Sequence, residues 1–313
     1  MSKPHIDINR VEFVITRSCT GKCKHCSVAL DSGPGKGIDA NAAAAALSQL
    51  AERYTIESIL TFGGEPLLYG AAVCAIHSTA RDAGISERGL ITNGFFTRDN
   101  HKIEAMAAAL VDAGVNDIAL SVDAFHQEDI PVEPVLCFAK ALYALSEKGG
   151  LKLRTHPAWL VNKDHANPYN DETKRLLKIF RDAGIKESRG NNIFPAGNAN
   201  TYLRDYFSDN DVLDLTVPCG SAPYTSRPDQ VGCVSISPNG DLEICFPVGN
   251  IYEQNALDIL DRYDPYSNPA MRVLLEDGVE KLLEYAQNAG HGVDVSHCYT
   301  ACDVCRKVMK VAL

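Results

Sequence analysis

The sequence contains no run of about 18 apolar residues, so it offers no candidate for a membrane-spanning helix. It also lacks a stripe of Lys and Arg, and its net charge of −10 argues against nucleic acid as the main partner. No secretory signal stands at residues 1–5. With 11 cysteines and no leader, we expect a cytoplasmic protein with reduced thiols rather than a disulfide scaffold.

Cysteine is scarce in the middle of the chain, where Cys74 and Cys137 are the two thiols between residues 27 and 218. Both fall at apolar positions of predicted helices, where we expect buried structural thiols. Three other cysteines lie within residues 19–26, and six lie between residues 219 and 305. The placement of the thiols therefore indicates two cysteine-rich sites.

Predicted strands and helices alternate about six times over the first 195 residues, and glycines follow the helices. The strands are predicted over 10–16, 58–62, 89–92, 117–122, 151–161 and 187–194. This alternation predicts an α/β fold with a parallel sheet, arranged as a partial (β/α)6 TIM-like barrel. After about residue 210 the alternation stops.

The C-terminal segment predicts a β-hairpin with an Asn239-Gly240 turn, followed by helices over 255–290. We therefore expect two domains. The first is a barrel over residues 1–210, and the second is a small hairpin-plus-helix extension over residues 211–313.

The first cysteine-rich site is the motif C-x3-C-x2-C, formed by Cys19, Cys23 and Cys26 directly after the first strand. Three thiolates in so short a loop can face one point. A structural zinc ion would need a fourth ligand, such as His25. A cubane iron–sulfur cluster can instead be held by three thiolates, which leaves one iron open to a cofactor.

Further motifs stand at the carboxyl ends of the next three predicted strands, which meet in one mouth of a parallel barrel. They read Gly63-Gly64-Glu65-Pro66, Thr92-Asn93-Gly94 and Ser121-Val122-Asp123. With the cysteine loop, they resemble the radical S-adenosylmethionine (radical SAM) superfamily over roughly residues 10–195.

The resemblance implies an enzyme whose [4Fe–4S] cluster is held by Cys19, Cys23 and Cys26. SAM would bind the open iron, and a 5′-deoxyadenosyl radical would abstract a hydrogen atom from the substrate. The residues implied as SAM contacts are His25, Gly63, Gly64, Glu65, Asn93, Ser121 and Asp123. Arg154 is a further candidate for pairing a carboxylate of SAM or of the substrate.

Simpler roles stay open for some of these residues. Ser121 and Asp123 are also typical of a cap for the next turn. His126, three residues further on, is a candidate base or substrate contact, and equally a loop histidine satisfied by its neighbours.

The second cysteine-rich site resembles the twitch or SPASM extension of radical SAM enzymes, with Gly240-x4-Cys245 on a hairpin and a late Cys302-x2-Cys305. The resemblance implies one auxiliary [4Fe–4S] cluster, held by Cys219, Cys245, Cys302 and Cys305. Cys233 and Cys298 are left as ligands, hydrogen donors or spare thiols. Structural zinc and unliganded thiols are the alternatives.

The arrangement is similar to compact radical SAM enzymes that modify ribosomally made peptides, which implies a peptide or protein substrate. The alternative is a radical SAM dehydrogenase or mutase acting on a small molecule such as a sugar or an aminocyclitol. A second alternative is a non-catalytic iron–sulfur protein. The resemblance also implies a reducing electron donor of the flavodoxin or ferredoxin type.

Overall fold

The computed structural model describes residues 5–27, 35–207, 213–221, 225–296 and 298–312. The strands are β1 (Ile6–Val14), β2 (Ser58–Phe62), β3 (Glu87–Thr92), β4 (Asp117–Leu120), β5 (Lys152–Thr155), β6 (Ala158–Trp159), β7 (Lys186–Glu187), β8 (Asn191–Asn192), β9 (Val231–Ile236), β10 (Asp241–Ile244) and β11 (Phe246–Asn250). The helices are α1 (Ala40–Arg53), α2 (Gly70–Asp82), α3 (Asn100–Asp112), α4 (Ala124–Gln127), α5 (Val132–Gly149), α6 (Pro168–Asp182), α7 (Asn198–Tyr202), α8 (Ala256–Arg262), α9 (Pro269–Asp277), α10 (Val279–Asn288) and α11 (Ala301–Ala312). None of the helices in these described ranges is long and apolar enough to cross a membrane.

In the described residues, a nine-stranded sheet runs in the order β11-β10-β9-β1-β2-β3-β4-β5-β7. From β9 to β7 all neighbouring strands pair in parallel, whereas β10 pairs antiparallel with both β9 and β11. The sheet stays open, with β11 and β7 at its edges. This architecture confirms the predicted α/β fold, a mostly parallel sheet of the partial TIM-like kind.

The two faces of the sheet differ in polarity, as the alternation of β1 shows. Val11 and Phe13 are fully buried and belong to the main apolar core. Arg10 and Glu12, which alternate with them, are half-buried and lie on the opposite face. Because side chains alternate along a strand, the same segment builds the core on one face and places Arg10 and Glu12 on the other.

Two of the predicted strands are shorter and interrupted. The segment 151–161 forms β5 and β6 with a break at His156 and Pro157, since a proline removes a donor from the ladder. The segment 187–194 likewise contributes only Glu187 of β7 and the two residues of β8. β6 and β8 pair with each other in a separate two-stranded parallel sheet.

The C-terminal hairpin extends the main sheet, because β9 pairs with β1 in the register Arg10↔Cys233. α9, α10 and α11 form a separate apolar cluster that includes Leu274, Leu282 and Val304. The boundary predicted at residue 210 lies outside the described residues, so the two-domain division stays a prediction. Cys74 on α2 and Cys137 on α5 pack against the main core but are half-buried, rather than buried as expected.

Candidate functional site

The cysteine loop follows β1, and backbone contacts hold it in place. The N–H of Cys26 donates to the carbonyl of Cys23 at 3.1 Å and closes a turn. The N–H of Asn198 donates to the Cys26 carbonyl at 2.9 Å, and its side-chain amide donates to the Cys23 carbonyl at 3.1 Å. A Cβ at Gly197 would lie 2.5 Å from the Cys26 oxygen. Gly197 and Asn198, which were not expected from the sequence, therefore clamp the loop.

The double-glycine turn after β2 packs directly against the same loop. The N–H of Gly64 donates to the carbonyl of Thr16 at 2.7 Å, and that of Glu65 donates to the carbonyl of Ser18 at 2.8 Å. A Cβ on Gly64 would lie 2.0 Å from the Ser18 oxygen, and one on Gly63 would lie 2.5 Å from the Thr16 oxygen. Both glycines are thus required by the close approach of two backbones.

Glu65 is fully buried. Its carboxylate accepts from the N–H groups of Leu67 and Asn93, each at 2.9 Å, and from the Thr92 hydroxyl at 2.6 Å. Burial raises the pKa of Glu65 to about 7, and the three hydrogen bonds oppose that rise. The carboxylate therefore ties the turn after β2 to the end of β3, and its contact with SAM stays a prediction.

The three thiols share one cavity of about 270 Å³ with the strand ends. Of the predicted SAM contacts, those that line it are His25, Gly63, Gly64, Asn93, Ser121 and Asp123. Burial raises the pKa of the Cys19 and Cys23 thiols. The Gly21 N–H, 3.4 Å from the Cys19 sulfur, opposes the rise for Cys19, and the Asn93 side-chain amide lies 3.6 Å from the same sulfur.

Asp123 and His126 form a buried pair at the mouth of this cavity. The His126 Nδ1 lies 2.8 Å from the Asp123 carboxylate, which also accepts from the N–H groups of Phe125, His126 and Ala158. Burial alone would raise the pKa of Asp123, but His126 holds it below its usual range, and the carboxylate in turn raises the pKa of His126. Asp123 caps α4, as the simpler interpretation expected, and its contact with SAM stays a prediction.

The spacing of the donors bears on which kind of metal centre the loop could hold. In the described part of the chain, the compact donor set is Cys23, His25 and His126, whose ligand atoms all lie within 4.8 Å of one another. That set contains one of the three loop thiols. Zinc would hold all of its thiolates at about 2.3 Å from one point, whereas a cubane binds each thiolate to a separate iron.

Two observations fit a cofactor beside the thiols. The buried Nδ1 of His25 has no hydrogen-bond partner, and burial lowers the pKa of that ring to about 4, so it is neutral at pH 7. The glycine turn also leaves backbone, rather than side chains, facing the cavity. The residues present therefore suit a cluster with an organic ligand next to it.

A second cavity, which we call the chamber, lies on the face of the sheet that carries Arg10 and Glu12 and measures about 620 Å³. It shares lining residues with the thiol cavity, namely Ser27, Phe62, Ile91, His156 and Asn191. Its charged lining residues are Arg10, Glu12, Glu87, Asp117, Arg154 and Arg306. The two cavities are therefore neighbours on one face of the sheet.

Arg154 lines the chamber and not the thiol cavity. Its guanidinium pairs with the carboxylate of Asp117 on the neighbouring strand β4. A contact of Arg154 with a substrate group fits this position better than a contact with SAM. Both contacts stay predictions.

The four predicted ligands of the auxiliary site, Cys219, Cys245, Cys302 and Cys305, all line one small cavity of about 60 Å³. Cys302 and Cys305 lie on the first turn of α11, and Cys245 stands between β10 and β11 with a positive φ of 59°. A left-handed backbone at a non-glycine residue is costly and is typical of functional sites.

The two remaining thiols of the C-terminal segment lie elsewhere. Cys298 is buried among the apolar residues of α9, α10 and α11. Cys233 lies on β9 beside Arg10. Burial raises the pKa of the Cys233 thiol to about 12, and the nearby charge of Glu12 adds to this rise. Neither lines the cavity of the other four.

Comparisons with known proteins agree with this geometry. Residues 13–200 match the model of the Radical SAM superfamily. Among solved structures, the chain is similar to native anSMEcpe with bound AdoMet and Cp18Cys peptide, at 13% identity and a TM-score of 0.50, over 96% of this chain and 99% of that one. BtrN in complex with AdoMet and 2-DOIA is similar at 16% identity and a TM-score of 0.47, over 87% and 89% of the chains.

Streptococcus suis SuiB bound to S-adenosylmethionine is similar at 14% identity and a TM-score of 0.47, over 86% of this chain and 68% of that one. At these identities the likeness concerns the fold alone. A search among curated protein sequences finds no match.

Proposed function

The chain belongs to the radical SAM superfamily, and on that basis we propose that it is an enzyme that abstracts a hydrogen atom from a compact polar substrate in an oxidoreductase-type reaction. The observation that carries the proposal is the chamber of about 620 Å³ next to the thiol cavity, whose lining includes six charged side chains. The family implies a [4Fe–4S] cluster and SAM. When both are bound, they supply a 5′-deoxyadenosyl radical through reductive cleavage of SAM.

In this proposal the loop thiols of Cys19, Cys23 and Cys26 hold the cluster. The amides of Gly21 and Asn93, which reach the Cys19 sulfur, favour its thiolate form and so help to set the potential of the cluster. Their role is electrostatic and does not require contact with SAM.

SAM would lie along the remaining wall of the thiol cavity. The backbone at Gly63 and Gly64 is exposed to the methionine amino group, and the neutral His25 ring is available to the adenine. Ser121 and Asp123 line the other side of the cavity. Glu65 acts at a distance, because it fixes the ends of β2 and β3 relative to each other.

The chamber is the proposed substrate site. Its volume falls within the roughly 300–1,000 Å³ typical of small-molecule sites. Its lining combines apolar side chains with paired acids and guanidinium groups, and these charged groups suit hydroxyl, amine or carboxylate groups of a ligand. This favours a sugar, an aminocyclitol or a similar polar molecule, whereas a peptide would have to place a single polar side chain there.

We further propose that Cys219, Cys245, Cys302 and Cys305 hold an auxiliary [4Fe–4S] cluster. The convergence of four thiols on one cavity supports this assignment. Cys233 and Cys298 lie outside that cavity, which argues against either of them as a ligand of this cluster.

Iron analysis of anaerobically reconstituted protein tests both cluster assignments. We expect about eight irons per chain in the wild type, and about four in Cys245→Ser and in Cys23→Ser. Cys233→Ser is the matched control and should keep about eight irons per chain. A wild-type content of about four that Cys245→Ser does not change would refute the auxiliary cluster.

The substrate class is tested by deuterium transfer into 5′-deoxyadenosine. Perdeuterated glucosamine and scyllo-inosamine represent the polar small molecules, and a deuterated serine-containing peptide represents the alternative. Transfer from a small molecule supports the proposal. Transfer from the peptide alone would overturn the substrate class, and absence of reductive SAM cleavage would overturn the enzyme assignment.

A further inference from the structure

The wall between the chamber and the cavity of the second thiol set contains Thr225 and Arg306, both of which line the two cavities. Arg306 follows Cys305 directly on α11. The side chain is therefore placed where a molecule in the chamber comes nearest to the four thiols.

Arg306 differs from the other guanidinium groups of the chamber in having no ion-pair partner. Arg10 pairs with Glu12 at 2.8 Å, and Arg154 pairs with Asp117. Among the described residues, no carboxylate lies within ion-pair distance of Arg306, although it is exposed at this wall. A guanidinium offers five donors, so this one is free to bind a molecule in the chamber.

The charge of Arg306 also acts on the thiols behind it. Its guanidinium lines the same small cavity as Cys219, Cys245, Cys302 and Cys305. A positive charge at this position favours the more negative, reduced state of any cluster held there.

We propose that Arg306 is a substrate-binding residue that holds an acceptor oxygen of the substrate, a hydroxyl or a carboxylate, at the end of the chamber that faces the second thiol set. This inference rests on the proposed function for the location of the substrate. It names the chemical group that the substrate presents to this wall.

The test compares Arg306→Gln and Arg306→Lys with Lys310→Gln, which removes one charge from the same helix outside both cavities. The probes are gluconate and sorbitol, a carboxylate and a hydroxyl form of one polyol, titrated by calorimetry into the reconstituted protein. We expect Arg306→Gln to weaken gluconate binding about tenfold or more, because a charge-assisted bidentate contact is lost. Sorbitol binding weakened to the same degree would identify a hydroxyl as the recognised group.

A second readout is the midpoint potential of the auxiliary cluster, followed by electron paramagnetic resonance. Arg306→Gln should shift it to a more negative value, while Arg306→Lys and Lys310→Gln leave it near that of the wild type. Unchanged binding of both probes in Arg306→Gln, or binding of neither probe to the wild type, would overturn the inference. Absence of the auxiliary cluster from the wild type would instead count against the proposed function. It would leave the inference testable, because probe binding measures the role of Arg306 without that cluster.

Discussion

Replacing Gly64 with alanine should disturb the cysteine loop from a distance, without touching any thiol. A Cβ on Gly64 would lie 2.0 Å from the carbonyl oxygen of Ser18 and 2.5 Å from its carbonyl carbon. Both atoms belong to backbone, so no side chain can rotate away. The turn after β2 must therefore move away from the residue that precedes Cys19.

The magnitude follows from what that movement breaks. Overpacking of this kind costs about 1–3 kcal/mol, and the two backbone hydrogen bonds from Gly64 and Glu65 to the loop contribute about 1 kcal/mol each, so the total is about 3–5 kcal/mol. The hydrogen bonds that would be lost are the ones that hold the cysteine loop against the turn after β2. We therefore expect cluster assembly at Cys19, Cys23 and Cys26 to suffer more than global folding does.

The assay combines denaturant unfolding of the apoprotein with iron content after anaerobic reconstitution. Gly64→Ala should lower the free energy of unfolding by several kcal/mol or retain only the auxiliary irons, about four per chain. Gly292→Ala is the matched control, because a Cβ there meets nothing within 4 Å, and it should change stability by less than about 0.5 kcal/mol. A Gly64→Ala protein with wild-type stability and wild-type iron content would refute the argument.

Two further outcomes follow from the same geometry. Asn198→Ala removes the side-chain bond to the Cys23 carbonyl, worth about 1 kcal/mol, and should speed chelator-driven iron loss about fivefold. Asn200→Ala is the matched control, because the side-chain oxygen of Asn200 is buried without a hydrogen-bond partner, and it should not speed iron loss. Burial lowers the pKa of His77 to about 3, so its folded form resists protonation and stability falls as pH drops below about 6.5. When the pH is lowered from 7 to 5, the free energy of unfolding should fall by about 2 kcal/mol less in His77→Gln than in the wild type. An equal fall in both proteins would contradict this.

The parallel sheet and the convergence of strand ends could be predicted from the sequence because both depend on local signals. The apolar strands, the glycines after the helices and the motifs at the strand ends each stand within a few residues of one another. The direction of a side chain at a strand end depends on its neighbours in space. The sequence predicted a contact of Glu65 with SAM, which stays a prediction, but it did not identify the three donors from Leu67, Thr92 and Asn93 that the carboxylate accepts from in the fold.

The contacts of Arg154 and Asn198 could not be predicted from the sequence either, because each joins residues that are far apart in the chain. Arg154 stands at a strand end in the sequence, but its partner Asp117 lies 37 residues away and could not be identified before the strands were paired. Asn198 contacts Cys23 across 175 residues. A Gly-Asn pair after a strand end was the available signal, and glycine in such a position also fits an ordinary turn.

The pairing of β9 with β1 explains how one chain brings the two thiol sets to cavities that adjoin the same chamber. Cys233 on β9 is level with Arg10 in the middle of β1, and β10, which pairs antiparallel with β9, leads directly into Cys245. The loop thiols follow the carboxyl end of β1, after Val14. A slip in the β1–β9 register would therefore change the separation of the two thiol sets directly.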